Sequence, residues 1–119
     1  MLKRVFTVIS IILVISCMVL AVGGNSFDKK EVVYVYSPYC NACRMFDNLY
    51  MTLKTTHSND AKFTEINADS SYGRHFVMKN NVYFIPHLVM INNNNKYVAD
   101  AKCMFDVKCI EDMYVNVMK

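Results

Sequence analysis

The sequence predicts an α/β fold in which a mixed central sheet is flanked by helices, in the order β-α-β-α-β-β-α. Three observations carry this. Glu31–Ser37 is a β-branched and aromatic run, the hydrophobic period turns helical from Asn41, and the apolar stretch Val82–Ile91 leads into a polar tetrad.

In Glu31–Ser37 (EVVYVYS) nearly every position is apolar, the pattern of a buried strand. Pro38 and Tyr39 end it. From Asn41 the residues Ala42, Met45, Phe46, Leu49, Tyr50 and Leu53 recur at the spacing of one helix face and predict a core-facing helix that dissolves in 55–60. Lys62–Ala68 is a second, weaker strand. Ser70 and Ser71 are suited to capping a short helix through about Lys79, and Gly73 weakens that helix. In Val82–Ile91 the strand proper starts after Pro86, because proline cannot donate to a sheet ladder. Asn92–Asn95 forms a turn whose asparagines tolerate positive φ, and Lys96–Asp100 returns as a strand. Asp106 caps a terminal helix with Ile110, Met113, Tyr114, Val117 and Met118 on one face.

Ahead of this domain, Met1-Leu-Lys-Arg is a basic head to residues 5–22, an uncharged and almost wholly apolar run. Residues 1–23 therefore read as a signal anchor or transmembrane helix, or as a signal peptide cut after Gly23, where Ala21 and Gly23 supply small residues. A bilayer span takes ~20 apolar residues, so this run sits at the short end for an anchor. Val14-Ile15-Ser16-Cys17 also resembles a lipoprotein signal, but apolar residues follow the cysteine directly. In every version the domain is expected on the lumenal, periplasmic or extracellular side, anchored or secreted. The linker 24–30 reaches at most ~23 Å at ~3.3 Å per residue, so an anchored domain would lie against the membrane.

The net charge of +3 falls to 11 basic against 10 acidic residues once Lys3 and Arg4 are set aside. No basic run exists to neutralise phosphates, which excludes a nucleic-acid footprint. Three glycines with no Gly-rich loop exclude a nucleotide cradle.

The chemistry concentrates in Ser37-Pro38-Tyr39-Cys40-Asn41-Ala42-Cys43. A C-x-x-C where a strand feeds a helix puts Cys40 beside free backbone N–H groups and the positive dipole end, which stabilise a thiolate. Cys43 lies one turn on, able to close a small disulfide and more shielded. Such a pair attacks an external disulfide and then releases itself. The alternatives at this point are a static disulfide and a zinc site using Cys40, Cys43, Cys103 and Cys109. The C-x5-C spacing of the second pair and the missing histidine disfavour zinc, and no metal or cofactor is called for. Cys103 and Cys109 are instead a candidate structural disulfide that would clamp the terminal helix. The exported part then holds an even number of cysteines, as suits an oxidising compartment, and the other possibility is two buried free thiols.

Strand, C-x-x-C, helix and a later apolar strand opening with Ile85-Pro86 together resemble the thioredoxin fold family over Glu31–Lys119, in a minimal version without the first strand and helix. The resemblance implies a cis Pro86 beside the active disulfide, an Ile85 backbone that pairs with an extended substrate segment, and Tyr39 in place of the Trp often found before the first cysteine. It places Tyr34 where thioredoxins carry a buried acid, with Asp47 as a substitute carboxylate or simply an exposed one. The glycine pair that glutaredoxins use for glutathione is absent near Val98–Cys103. His87 is expected either to depress the Cys40 pKa or contact substrate, or merely to pack at the rim. His57 and His75 are expected in solvent. The function implied is thiol–disulfide exchange with protein thiols and disulfides, recycled by a redox partner. The competing reading is a non-catalytic binding or assembly module at a membrane.

Overall fold

The computed structural model describes residues 29–119. The anchor or signal peptide over 1–23, Cys17 and most of the linker 24–30 lie outside the described residues. The elements are β1 (Lys30–Tyr36), α1 (Asn41–His57), β2 (Lys62–Asn67), α2 (Ser71–Lys79), β3 (His87–Asn92), β4 (Asn95–Val98), a 3-10 turn (Cys103–Phe105) and α3 (Val107–Met118). The sheet order is β2-β1-β3-β4. β1 runs parallel to β2 with Val35 beside Ile66, and antiparallel to β3 with Val35 beside His87. β3 and β4 form the antiparallel hairpin.

β1 is buried on both faces, which is why its sequence is a continuous apolar run rather than an alternating one. Val32 and Tyr34 turn toward α1 and α3, joining Phe46, Tyr50, Leu53, Leu88, Met90, Ile110, Tyr114 and Met118 in the main core. Val33 and Val35 turn the other way, onto Ile66, Val89 and the partly buried Phe76 and Val77 of α2. Of the expected α3 stripe, Ile110, Tyr114 and Met118 are buried, and Met113 and Val117 pack partly against them.

Local signals set the element ends. The Ser70 hydroxyl accepts from Gly73 N, and Asp106 Oδ1 accepts from Cys109 N. Asn93 has φ 56°, as the polar turn requires.

Three details depart from the expected pattern. α1 runs on to His57 instead of fraying at 55. Met45 is 73% exposed, because the buried stripe of α1 is Cys43, Phe46, Tyr50, Leu53 and His57. His57, expected in solvent, is only 6% exposed. Its ring stacks on Tyr114 at 3.8 Å, and Nε2 lies 3.0 Å from Glu111 Oε2. The extra turn of α1 continues the stripe onto α3, whose aromatic and carboxylate groups give the imidazole partners that no local sequence feature announces.

Candidate active site

Cys40 and Cys43 form a disulfide, with Cα atoms 5.2 Å apart. Cys40 is the N-cap of α1, and its sulfur accepts from Cys43 N at 3.1 Å. It is half-buried, whereas Cys43 is 2% exposed. One sulfur thus faces solvent at the positive end of a 17-residue helix and the other faces the core. An incoming thiolate or disulfide reaches Cys40 first.

The turn before Cys40 is held on two sides. Cys40 N donates to Ser37 O at 3.1 Å, and Tyr39 N donates to Ser37 Oγ at 3.2 Å. The Ser37 hydroxyl in turn donates to Asp69 Oδ2, and Ala68 N donates to Tyr36 O at 2.7 Å. The end of β2 therefore braces the end of β1. On the opposite side the antiparallel register ends with Val35 beside His87, the residue that directly follows Pro86. The Ile85–Pro86 peptide bond is cis. Tyr39 is 87% exposed, Ile85 half-buried and Pro86 buried. Ser37 and Asp69 escaped the sequence reading. Their bond spans 32 positions, and although Ser37 opens the cysteine motif, Asp69 belongs to none.

Behind Cys43 the buried Tyr34 meets Asp47, whose carboxylate lies on the exposed side of α1. Tyr34 Oη is 2.7 Å from Asp47 Oδ1 and 3.2 Å from Cys43 O. Burial, followed by the hydrogen bond to Asp47, pushes the Tyr34 phenol well above its ordinary value, so it remains a neutral donor at physiological pH. Asp47 stands one helical turn beyond Cys43. The position where the resemblance implies a buried acid thus holds a phenol that ties the Cys43 turn to a carboxylate.

His87 packs, as one of its two expected readings has it, but in the interior rather than at the rim. It is 5% exposed, on the α2 side of the sheet, with Nδ1 unpartnered among the described residues and Phe84 packed edge-on at 5.8 Å. Burial lowers its pKa, so the imidazole is neutral near pH 7 and offers no positive charge to a thiolate. Because the folded value is depressed, the unfolded chain binds the proton first as pH falls. Stability is therefore complete above the ordinary imidazole value of about 6.5 and declines below it. The urea midpoint should fall between pH 7 and pH 5, and His87→Leu should flatten that part of the profile. An unchanged slope in the variant would place the acid sensitivity elsewhere.

Cys103 and Cys109 form a second disulfide, which joins the 3-10 turn to the first turn of α3. No group of three or more His, Cys, Asp and Glu residues placed to hold a metal occurs among the described residues. No helix among them is long and apolar enough to cross a membrane.

Comparison with solved structures places this geometry among thioredoxins. The germline-specific thioredoxin Deadhead of Drosophila melanogaster superposes with a TM-score of 0.64 at 20% identity, over 76% of this chain and 82% of that one. Thioredoxin O2 of Arabidopsis thaliana, in its oxidised state, gives 0.61 at 18% identity over 77% of each chain. Malassezia sympodialis thioredoxin gives 0.64 at 15% identity, over 77% of this chain and 80% of that one. At such identities the likeness is one of fold. A search of curated proteins returns no significant match. The sequence model of the thioredoxin family, however, matches residues 25–112, most of the chain and all of the elements that carry Cys40, Cys43 and Pro86, so this chain belongs to the thioredoxin family.

Proposed function

We propose that the chain is a protein thiol–disulfide oxidoreductase working in an exported compartment, held at the membrane by residues 5–22 or secreted after their removal. The observation that carries it is the asymmetric pair at the head of α1: an accessible Cys40 sulfur at the helix N-terminus and a Cys43 sulfur shielded beneath it. The second disulfide and the basic head before an apolar run support the oxidising, exported setting.

Exchange in either direction passes through one mixed disulfide. In reduction, Cys40 thiolate attacks a substrate disulfide, a Cys40–substrate bond forms, and one substrate sulfur leaves as a thiolate. Cys43 then attacks Cys40 sulfur, expels the second substrate thiolate and restores the internal disulfide. Oxidation of a substrate dithiol runs the same steps backwards. The potential of the pair and its recycling partner set the net direction. Tyr39, exposed beside Cys40, and the Ile85–Pro86 edge flank the substrate segment, while buried His87 leaves that surface to them.

Cys43 must lose a proton to attack. Asp47 is the carboxylate one turn away, and the neutral Tyr34 hydroxyl orients it against the Cys43 turn. Asp47→Asn should slow resolution of the mixed disulfide at pH 7 by about 10²-fold, within the range of general-base effects, and alkaline pH should restore the rate as Cys43 ionises unaided. Tyr34→Phe keeps the ring and loses the hydroxyl, so it should give a smaller loss in the same direction. A pH–rate profile identical to the parent's in both variants would remove the pair from the mechanism.

Insulin reduction and refolding of a scrambled-disulfide substrate, measured on residues 25–119, test the assignment itself. Turnover in either assay that vanishes in Cys40→Ala supports it. Absence of turnover in both would leave the non-catalytic binding module as the better account.

A further inference from the structure

The Cys103–Cys109 disulfide borders an open cleft of about 520 Å³ whose lining includes both half-cystines, Asp100, Asp106, Lys108 and Asp112. Cys103 is 7% exposed and joins the main core beside Ala99 and Met104, whereas Cys109 is half-buried. The bond is therefore approachable from one end only. Each half-cystine also has a backbone anchor that does not depend on sulfur. Cys103 N donates to Asp100 Oδ1 at 2.8 Å, and Cys109 N donates to Asp106 Oδ1 at 3.1 Å. These two Asp-x-x-Cys caps fix both turns, and Ile110, Tyr114 and Met118 seat α3 in the core. Breaking the S–S bond leaves all of that in place, so the disulfide can open without the domain unfolding.

We propose that Cys103–Cys109 is a second thiol–disulfide exchange site, opened at Cys109 by a basic protein dithiol. A partner thiolate attacks Cys109 sulfur, a partner–Cys109 bond forms, and the Cys103–Cys109 bond breaks. Cys103 leaves with the electron pair and takes up a proton. The second partner thiol, deprotonated, attacks the partner sulfur of the mixed disulfide and releases Cys109, which is protonated in turn. The partner dithiol becomes a disulfide, and Cys103 and Cys109 gain its two electrons and two protons. The cleft sets both rate and choice. Cys103 must leave as a thiolate that is buried and near the Asp100 carboxylate, so opening is slower than at the solvent-facing Cys40. Three carboxylates face one ammonium, Lys108, which is itself paired with Asp112 at 2.8 Å. That balance attracts a cationic dithiol and repels an anionic one, an effect that salt screens.

The test uses the full chain with Cys40→Ser and Cys43→Ser, so the outcome does not depend on whether the first pair turns over. Two probes are a C-x-x-C dithiol peptide flanked by lysines and the same peptide flanked by glutamates. Mass spectrometry of alkylated protein should show the lysine peptide reducing Cys103–Cys109 about tenfold faster at low salt, with the two rates converging near 1 M salt. Asp112→Asn should narrow that ratio at low salt, and the helical circular-dichroism signal should persist after reduction. In the same background, a lysine peptide whose second cysteine is serine cannot release itself from the mixed disulfide, so alkylation should capture it bonded to Cys109 with Cys103 alkylated, and not the reverse. Reduction only at urea concentrations that unfold the chain, or equal rates for the two peptides at low salt, would overturn the proposal and leave the bond a static clamp.

Discussion

Cys43→Ala should accumulate covalent partner complexes on non-reducing gels, and Cys40→Ala should lose turnover without accumulating any. The asymmetry follows from burial and from the helix end. Cys40 is the N-cap, half-exposed, with its sulfur already accepting the Cys43 amide N–H. That N–H and the positive end of α1 favour a thiolate at Cys40 over one at Cys43. Once Cys40 has bonded to a substrate sulfur, the complex can be resolved only by a second thiol within the same turn. Removing Cys43 therefore leaves a long-lived intermediate, whereas removing Cys40 leaves a nucleophile that is 2% exposed and out of a protein substrate's reach. Iodoacetamide should alkylate Cys40 of the reduced protein well before Cys43. Equal trapping by both variants, or faster labelling of Cys43, would reverse the two roles.

What could be read from sequence was whatever rests on local chemistry. The strand at β1, the C-x-x-C at a helix start, Ser70 and Asp106 as caps, and the strand beginning only after Pro86 each depend on a few adjacent residues. Groups that meet across the fold could not be read that way. Asp47 is a helix carboxylate like any other until Tyr34, 13 positions earlier on β1, is found against it. His57 looks solvated in a polar stretch because its partners, Tyr114 and Glu111, belong to α3. Met45 fits the helical period yet faces out, since periodicity alone does not fix which edge of an apolar stripe meets the sheet. The candidate site divides in the same manner. Its nucleophile pair is a sequence motif, but the Ser37–Asp69 brace and the Tyr34–Asp47 pair exist only in three dimensions.

Gly73 belongs to that second group, and substituting it should have the largest effect on stability. On propensity alone a glycine inside a helix is a defect, and alanine there should stabilise by about 1 kcal/mol. The packing reverses the sign. Gly73 is buried where α2 crosses the end of β2, and a methyl group on it would sit 2.6 Å from Asn67 C and 2.9 Å from Ala68 Cα, with the Asn67 oxygen closer still. That oxygen cannot swing aside without loss, because it accepts from Ser70 N at 3.1 Å and from Ser70 Oγ at 2.7 Å. The same Ser70 hydroxyl caps α2 through Gly73 N. Gly73→Ala must therefore push the helix off the strand end or break its cap. Overpacking against backbone costs about 3 kcal/mol, which exceeds the gain in helix propensity. The displaced segment also carries Asp69, the partner of Ser37 in the turn before Cys40, so exchange activity should fall together with the urea midpoint. His75→Ala, at an exposed position of the same helix, serves as the control and should leave both nearly unchanged. A Gly73→Ala protein more stable than its parent would mean that α2 does not rest on Asn67 and Ala68, and the brace behind the Cys40 turn would have to be sought elsewhere.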